Sequence, residues 1–222
     1  MHPPGNELFE EGTGELLDQK DKEQFHTTTA KGLYISKRSR PDIQLAIAVL
    51  CTRVQKPNKS DWDKLVKLLK FLSGTRNKKL RITANNLAVI KWYVDASFAV
   101  HPDHESHTGA TMTFDGGERS IVNPSRKQKL DARSSTEAEL VGVDDAMTFM
   151  MWMKHFFQLQ VKDMNNPKLN QYGKHIIIEQ DNTSAIQLEH NGLKSSTKRT
   201  KHIDIWYFYI TNQLKKGKMS EV

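Results

Sequence analysis

The sequence is nearly devoid of cysteine: Cys51 is the single one among 222 residues. An internal disulfide is thereby excluded, and no cysteine–histidine cluster is present that would read as a zinc site. A lone cysteine fits a reducing compartment. Long apolar runs are missing as well. None approaches the ~20 residues needed to cross a membrane as a helix. The segment from Met1 to Lys20 is polar and acidic, without the basic start and apolar stretch of a secretory leader. Internal repeats and extended low-complexity tracts are also absent. What remains is a chain with 37% hydrophobic and 27% charged residues, which supports a buried core inside a charged surface. Its length suits one full domain and a smaller one, at about 100–200 residues per domain. The net charge of +7 and pI of about 9.3 favour a polyanionic partner, nucleic acid above all, against the plainer reading of a basic soluble protein.

Three regions follow from the patterning. Residues 1–30 are rich in Gly, Glu, Asp and Lys without apolar periodicity and read as a flexible lead-in. Residues 31–78 read as a helical hairpin. Pro41-Asp42 suits a helix start, and Ile43, Ile47 and Leu50 recur at helical spacing, with Ala46 and Val54 near the same face. Lys56-Pro57-Asn58 ends that helix. Ser60 with Asp63 resembles a capping pair for the next, whose apolar stripe is Trp62, Leu65, Val66, Leu69 and Leu72, with Gly74 at its end. Such a hairpin is too small for a good core and needs something to pack on.

Residues 79–222 form the third region, where the period switches to that of strands. Leu80–Thr83, Ala88–Ala96, Thr108–Phe114 and Ser120–Val122 are the expected strands, with a turn at Asp115-Gly116-Gly117. A basic loop from Pro124 to Arg133 leads into a long helix from Ser135 to about Gln158. The apolar run Ile176-Ile177-Ile178 reads as a buried strand, followed by helices over Asn182–Glu189 and Ile203–Lys215. Met147, Met150, Met151 and Trp152 read as a packing stripe on the long helix. The order predicts an α/β fold: a mixed sheet with helices packed on it. In it the Ala88 and Ile176 strands run parallel, joined by the long crossover helix.

Two acids stand at the ends of those two parallel strands, Asp95 and Asp181, and would meet at one edge of the sheet. Glu137 opens the crossover helix and is placed to approach them. Three converging carboxylates repel unless cations neutralise them, and hard divalent ions with oxygen ligands do so. Each acid also has a plain reading: Asp95 as a strand-end turn, Glu137 as the last member of a Ser134-Ser135-Thr136-Glu137 capping box, Asp181 as a helix start. Their order on these elements favours the site.

Four strings carry a resemblance: Tyr93-Val94-Asp95-Ala96-Ser97-Phe98-Ala99, Ser134-Ser135-Thr136-Glu137-Ala138-Glu139-Leu140, Gln180-Asp181-Asn182-Thr183-Ser184-Ala185-Ile186 and Thr200-Lys201-His202-Ile203-Asp204-Ile205. They resemble the ribonuclease H domain of copia-type retrotransposon polyproteins. Ser39-Arg40-Pro41-Asp42-Ile43 and Leu72-Ser73-Gly74-Thr75 resemble the tail of the same polyprotein's reverse transcriptase. The resemblance implies a ribonuclease H-like sheet flanked by helices, cleavage of the RNA strand of an RNA–DNA hybrid, and a cytoplasmic retroelement particle as the setting. It implies Asp95, Glu137 and Asp181 as catalytic metal ligands for two magnesium ions, with manganese as a substitute, and the rest of a Pol polyprotein as a partner. Arg126, Lys127, Asn182, Lys198, Arg199, Lys201 and His202 become candidate hybrid contacts.

The departures from that family also set expectations. Phe98 stands where a second acid is usual. The chain stops at Lys218-Met219-Ser220-Glu221-Val222, so the C-terminal edge strand and the fourth carboxylate are expected to be missing, with Asp204 a weak substitute ligand. Polymerase activity is not expected, because no strand-turn Asp-Asp pair precedes Lys31. Three readings stay open: a metal-dependent nuclease, a non-catalytic remnant that binds nucleic acid, and a structural part of a larger assembly.

Overall fold

Alternation of large apolar with polar residues builds the central strand. In β1 (Val89–Ser97), Ile90, Trp92, Val94 and Ala96 are buried, while Tyr93, Asp95 and Ser97 point to the other face and are exposed. β2 (His107–Phe114) runs antiparallel to it, pairing Trp92 with Met112 and Asp95 with Gly109. β3 (Ser125–Lys127) adds antiparallel to β2, and β4 (His175–Glu179) adds parallel to β1 on its other side. The 29-residue helix α4 (Ser135–Asp163) is the crossover between β2–β3 and β4, and it lays Val143, Ala146, Met147 and Met150 over Ile90, Trp92, Ile176 and Ile178. The chain is a computed structural model that describes residues 6–10, 12, 14–115, 117, 119–163, 173, 175–191, 204–217 and 220–221. The expected mixed α/β sheet flanked by helices is present.

The strand order is β3-β2-β1-β4-β5. The outermost member corrects an expectation. β5 (Ser220–Glu221) pairs parallel with β4, Ile177 opposite Ser220 and Ile178 opposite Glu221. The edge strand judged missing is therefore present as two residues, and it reaches β4 after α5 (Thr183–Asn191) and α6 (Asp204–Lys215). Two other expected strands shrink. Leu80–Thr83 is irregular, with an isolated bridge from Ala84 to Phe114, and Ser120–Val122 contributes one bridge from Val122 to Met112. The first residues of the expected basic loop form β3 instead. Gly117 is required where the chain leaves β2, because a Cβ there would lie 2.1 Å from the Thr83 carbonyl oxygen. On α4, Met147, Met150 and Met151 are buried as expected, but Trp152 is 57% exposed and stacks on Phe156. Its position one residue past Met151 turns it about 100° away from the packed face.

The lead-in is ordered in large part. α1 (Gln19–Arg38) starts at Asp18, whose carboxylate accepts the Asp21 N–H at 2.7 Å. Its inner face is Phe25, Thr29, Gly32 and Ser36, a helical spacing with one large apolar side chain, so the hydrophobic pattern is faint. Small residues there let α2 (Gln44–Arg53) approach closely: a Cβ on Gly32 would meet Ile47 Cδ1 at 2.4 Å. With α3 (Lys59–Gly74) these helices enclose a second core of Leu8, Phe25, Ile47, Leu50, Leu68 and Phe71. Leu69, expected in the apolar stripe of α3, is 43% exposed, and Leu68 takes the inward position.

The cap of α3 is also two residues earlier than the Ser60 and Asp63 pair suggests. Asn58 accepts the Asp61 N–H at 2.9 Å, and Asp61 accepts the Asn58 N–H at 3.1 Å. The Asn58 amide donates as well to the Gly12 carbonyl at 2.7 Å, tying the N-terminal segment to the cap. Replacing Asn58 by Ala should lower unfolding free energy by about 1–2 kcal/mol, read as a lower urea midpoint with unchanged slope. An unchanged midpoint would show that the cap is redundant.

The two cores meet beside β3, against which α2 packs. Phe9 sets its ring edge-on to His101 and His107, at centroid distances of 5.3 and 5.9 Å. On the sheet face away from α4, an open groove of about 380 Å³ runs between Pro41, Gln44 and Leu45 on one side and Tyr93, Asp95 and Thr111 on the other.

Candidate metal centre

Three elements each deliver one carboxylate to the same point. Asp95 lies two residues before the end of β1, opposite Gly109, whose lack of a side chain leaves the space beside it open. Asp181 lies two residues past β4, which runs parallel to β1, so both acids emerge at the carboxyl edge of the sheet. Glu139 comes from the start of α4. Carboxylate oxygens of Asp95, Glu139 and Asp181 lie within 4.8 Å of one another. Asp95 and Asp181 are exposed, and Glu139 is 6% exposed.

Glu137, the expected third ligand, is not in this group. Its Oε2 accepts the Arg133 N–H at 2.8 Å, and its own N–H donates to Ser134 Oγ at 3.2 Å. It therefore serves the helix start, the plain reading of its capping box. The physical reason is the helix period: residues two apart differ by about 200° in direction, so Glu137 and Glu139 cannot face the same partner. The signal for Glu139 was available. Once Ser134 commits Glu137 to the cap, the second glutamate of the Ser-Ser-Thr-Glu-Ala-Glu string is the one left to face the sheet.

Burial is the largest influence on Glu139 and pushes its pKa up to about 7, with the neighbouring charges of Asp95 and Asp181 acting in the same direction. Two neutral donors act against that rise: the Ala96 backbone N–H and the Gln180 side-chain amide. A buried glutamate facing two exposed aspartates is, among the described residues, a site short of positive charge. All its donor atoms are hard oxygens, the chemistry that magnesium or manganese takes.

The three expected hybrid contacts among the described residues are engaged within the chain. Arg126 stands against α4, with Nε 3.5 Å from Asp145 Oδ2 and its guanidinium on the Asp145 carbonyl. Lys127 pairs with Asp103 and, at 3.0 Å, with Glu105. Asn182 caps α5, its Oδ1 accepting the N–H groups of Ser184 and Ala185 at 3.1 Å each. Lys198, Arg199, Lys201 and His202 lie outside the described residues. Asp204 opens α6, and its side chain lies outside those described.

The retrovirus-related Pol polyprotein of transposon TNT 1-94 from Nicotiana tabacum is 32% identical over 190 residues, 85% of this chain and 13% of that polyprotein. The chain resembles a segment of a copia-type retrotransposon Pol polyprotein. Transposon RE1 of Arabidopsis thaliana has a Pol polyprotein 30% identical over 185 residues, 83% of the chain and 12% of the polyprotein. The chain thus spans about an eighth of the length of these relatives. No family model matches it. Among solved structures, a foamy viral protease-reverse transcriptase dRH in complex with double-stranded DNA covers 95% of the chain at a TM-score of 0.51 and 13% identity, over 35% of that structure's chain. The ribonuclease H1 LC11, isolated from compost, covers 61% of this chain and 83% of its own, with a TM-score of 0.42 and 12% identity. The likeness in fold is thus to part of the foamy viral chain, and the likeness in sequence is to a segment of Pol polyproteins. No described helix is long and apolar enough to cross a membrane.

Proposed function

We propose that the chain is the ribonuclease H module of a copia-type Pol polyprotein and hydrolyses the RNA strand of an RNA–DNA hybrid at Asp95, Glu139 and Asp181. The observation that carries this reading is the convergence of those three carboxylates at the carboxyl edge of the sheet. Two magnesium ions held there would lower the pKa of an attacking water and offset charge on the leaving oxygen. Asp95 and Asp181 stand at the open mouth, where they can reach a cation and a phosphodiester together. Glu139 lies behind them and contributes charge only when ionised. Its proton must therefore leave before a cation is fully held, and the Ala96 N–H and Gln180 amide keep its carboxylate in place as it does so. The excess of seven positive charges draws the polyanionic substrate in a salt-dependent way.

The test is magnesium-dependent cleavage of a labelled RNA–DNA hybrid by the full chain beside its Asp95→Asn variant. Cleavage lost in the variant, with hybrid binding kept at low salt, is the expected result. Equal cleavage by both would place the chemistry elsewhere. Hybrid bound but uncleaved by the parent would overturn the catalytic reading in favour of simple binding.

A further inference from the structure

A buried amide joins two arms of the acid cluster. Gln180 follows β4 directly and is 7% exposed. Its Oε1 accepts the N–H of Asp181 at 2.8 Å and that of Asn182 at 3.1 Å. Its Nε2 donates to Glu139 Oε2 at 3.3 Å. These partners settle which end of the amide is which. Turned over, its NH₂ would face two N–H donors and its oxygen a carboxylate, losing all three bonds.

The restraint closes into a ring. From Gln180 the turn passes to Asn182, whose side chain accepts two N–H groups of the first turn of α5. Ala185 of that helix is fully buried against Leu140, the residue after Glu139. Glu139 and Asp181 are therefore tied to each other by packing through α5 and by hydrogen bonds through Gln180. The neutrality of the amide matters too. A Lys or Arg in its place would cancel the Glu139 charge and compete with a cation. An amide orients the carboxylate and leaves the negative charge in place.

We propose that Gln180 is a positioning residue that fixes the gap between the Glu139 and Asp181 carboxylates and so sets the cation affinity of the site. This rests on the reading of Asp95, Glu139 and Asp181 as a metal centre. Two replacements separate its two tasks. Gln180→Met keeps the length and removes all three hydrogen bonds. Gln180→Asn keeps an oxygen that can serve the turn N–H groups in an Asx-turn but falls short of Glu139.

The experiment is Mn²⁺ binding to the full chain, read as loss of the free-ion electron paramagnetic resonance signal, with thermal melting in chelator alongside. Both replacements should weaken Mn²⁺ binding about tenfold or more, the usual effect of losing a group that orients a metal ligand. Gln180→Asn should melt close to the parent. In the cleavage assay the magnesium requirement should rise by a similar factor, with the saturated rate nearly kept. Parent-like Mn²⁺ affinity in folded Gln180→Asn would overturn the role, whether or not Gln180→Met folds. Absence of Mn²⁺ binding by the parent would overturn both this role and the metal centre. If the parent binds Mn²⁺ and Asp95→Asn does not, yet neither cleaves hybrid, the nuclease reading falls, and the Gln180 affinities still decide its role.

Discussion

Glu139→Gln should reduce hybrid cleavage by ~10³ or more, while Glu137→Gln leaves it within a few-fold of the parent. The first change removes a charge that faces Asp95 and Asp181. Cation chemistry of this kind supplies several kcal/mol of transition-state stabilisation, and each 1.36 kcal/mol is about tenfold in rate. The second change leaves an amide oxygen able to accept the Arg133 N–H, so the start of α4 survives. The pH dependence separates the two residues further. Glu139 ionises near 7 in the folded chain, against an ordinary value of 4.5, chiefly because it is buried. At limiting magnesium, where proton and cation compete for Glu139, cleavage by the parent should therefore climb as pH rises, and more magnesium should move that rise to lower pH. In chelator the same residue makes the folded chain less stable as pH rises from about 4.5 to 7. Across that window the native state holds a proton that the unfolded state has released. The loss is on the order of 1–2 kcal/mol after allowing for solvent screening at the mouth of the site. Glu139→Gln should flatten that slope. A Glu137→Gln variant that is inactive, beside an active Glu139→Gln, would reverse the assignment.

Acidification should loosen the junction between the two cores by about 2 kcal/mol between pH 7 and pH 5. His101 Nε2 and His107 Nδ1 are 3.0 Å apart, and His107 Nε2 is 2.8 Å from Ser125 Oγ. Both rings are 3% exposed, with Phe9 edge-on to each. Burial, and secondarily the charge of His101, push the His107 pKa down to about 4 from the ordinary 6.5. His101 is lowered too, mainly by burial and then by Lys127, with Arg53 adding to it and Asp103 and Glu105 opposing. An unfolded chain protonates these rings near 6.5, whereas the folded chain protonates His107 only near 4 and His101 below its ordinary value. The unfolded state therefore binds more protons across the interval, and stability falls as pH falls. Two charged rings would also place N–H against N–H at the 3.0 Å contact. His107→Gln should remove most of this slope. Urea unfolding of parent and variant at pH 7, 6 and 5 is the measurement. The slope from Glu139 has the opposite sign, so the difference between the two proteins at each pH is what counts. Parallel curves would show that the histidine pair does not govern acid stability.

Much of the fold was written in the chain order of simple patterns. The alternation through Ile90, Trp92 and Val94, the triple isoleucine at 176–178 and the long apolar face between them point to two parallel strands and a crossover helix, an arrangement that buries all three in one core. Asp95 and Asp181 follow from that topology alone, since parallel strands end at the same edge. The helical hairpin was equally legible from Ile43, Ile47, Leu50 and Leu65.

Other features depended on three-dimensional packing. A helix with one large buried residue, Phe25, leaves almost no periodic signal, and α1 owes its place to the close approach of Gly32 and Ile47. The two residues of β5 are too few to show an alternation, and pairing with Ile177 and Ile178 is what makes them a strand. Arg126 and Lys127 look like free cations along the chain. Asp145, Asp103 and Glu105, distant in sequence or set back in a loop, claim them only after folding. The choice between Glu137 and Glu139 is the sharpest case. Sequence supplied two glutamates in one string. Folding decided between them, because about 200° of helix separates their directions and only Glu139 turns toward the strand ends where Asp95 and Asp181 meet.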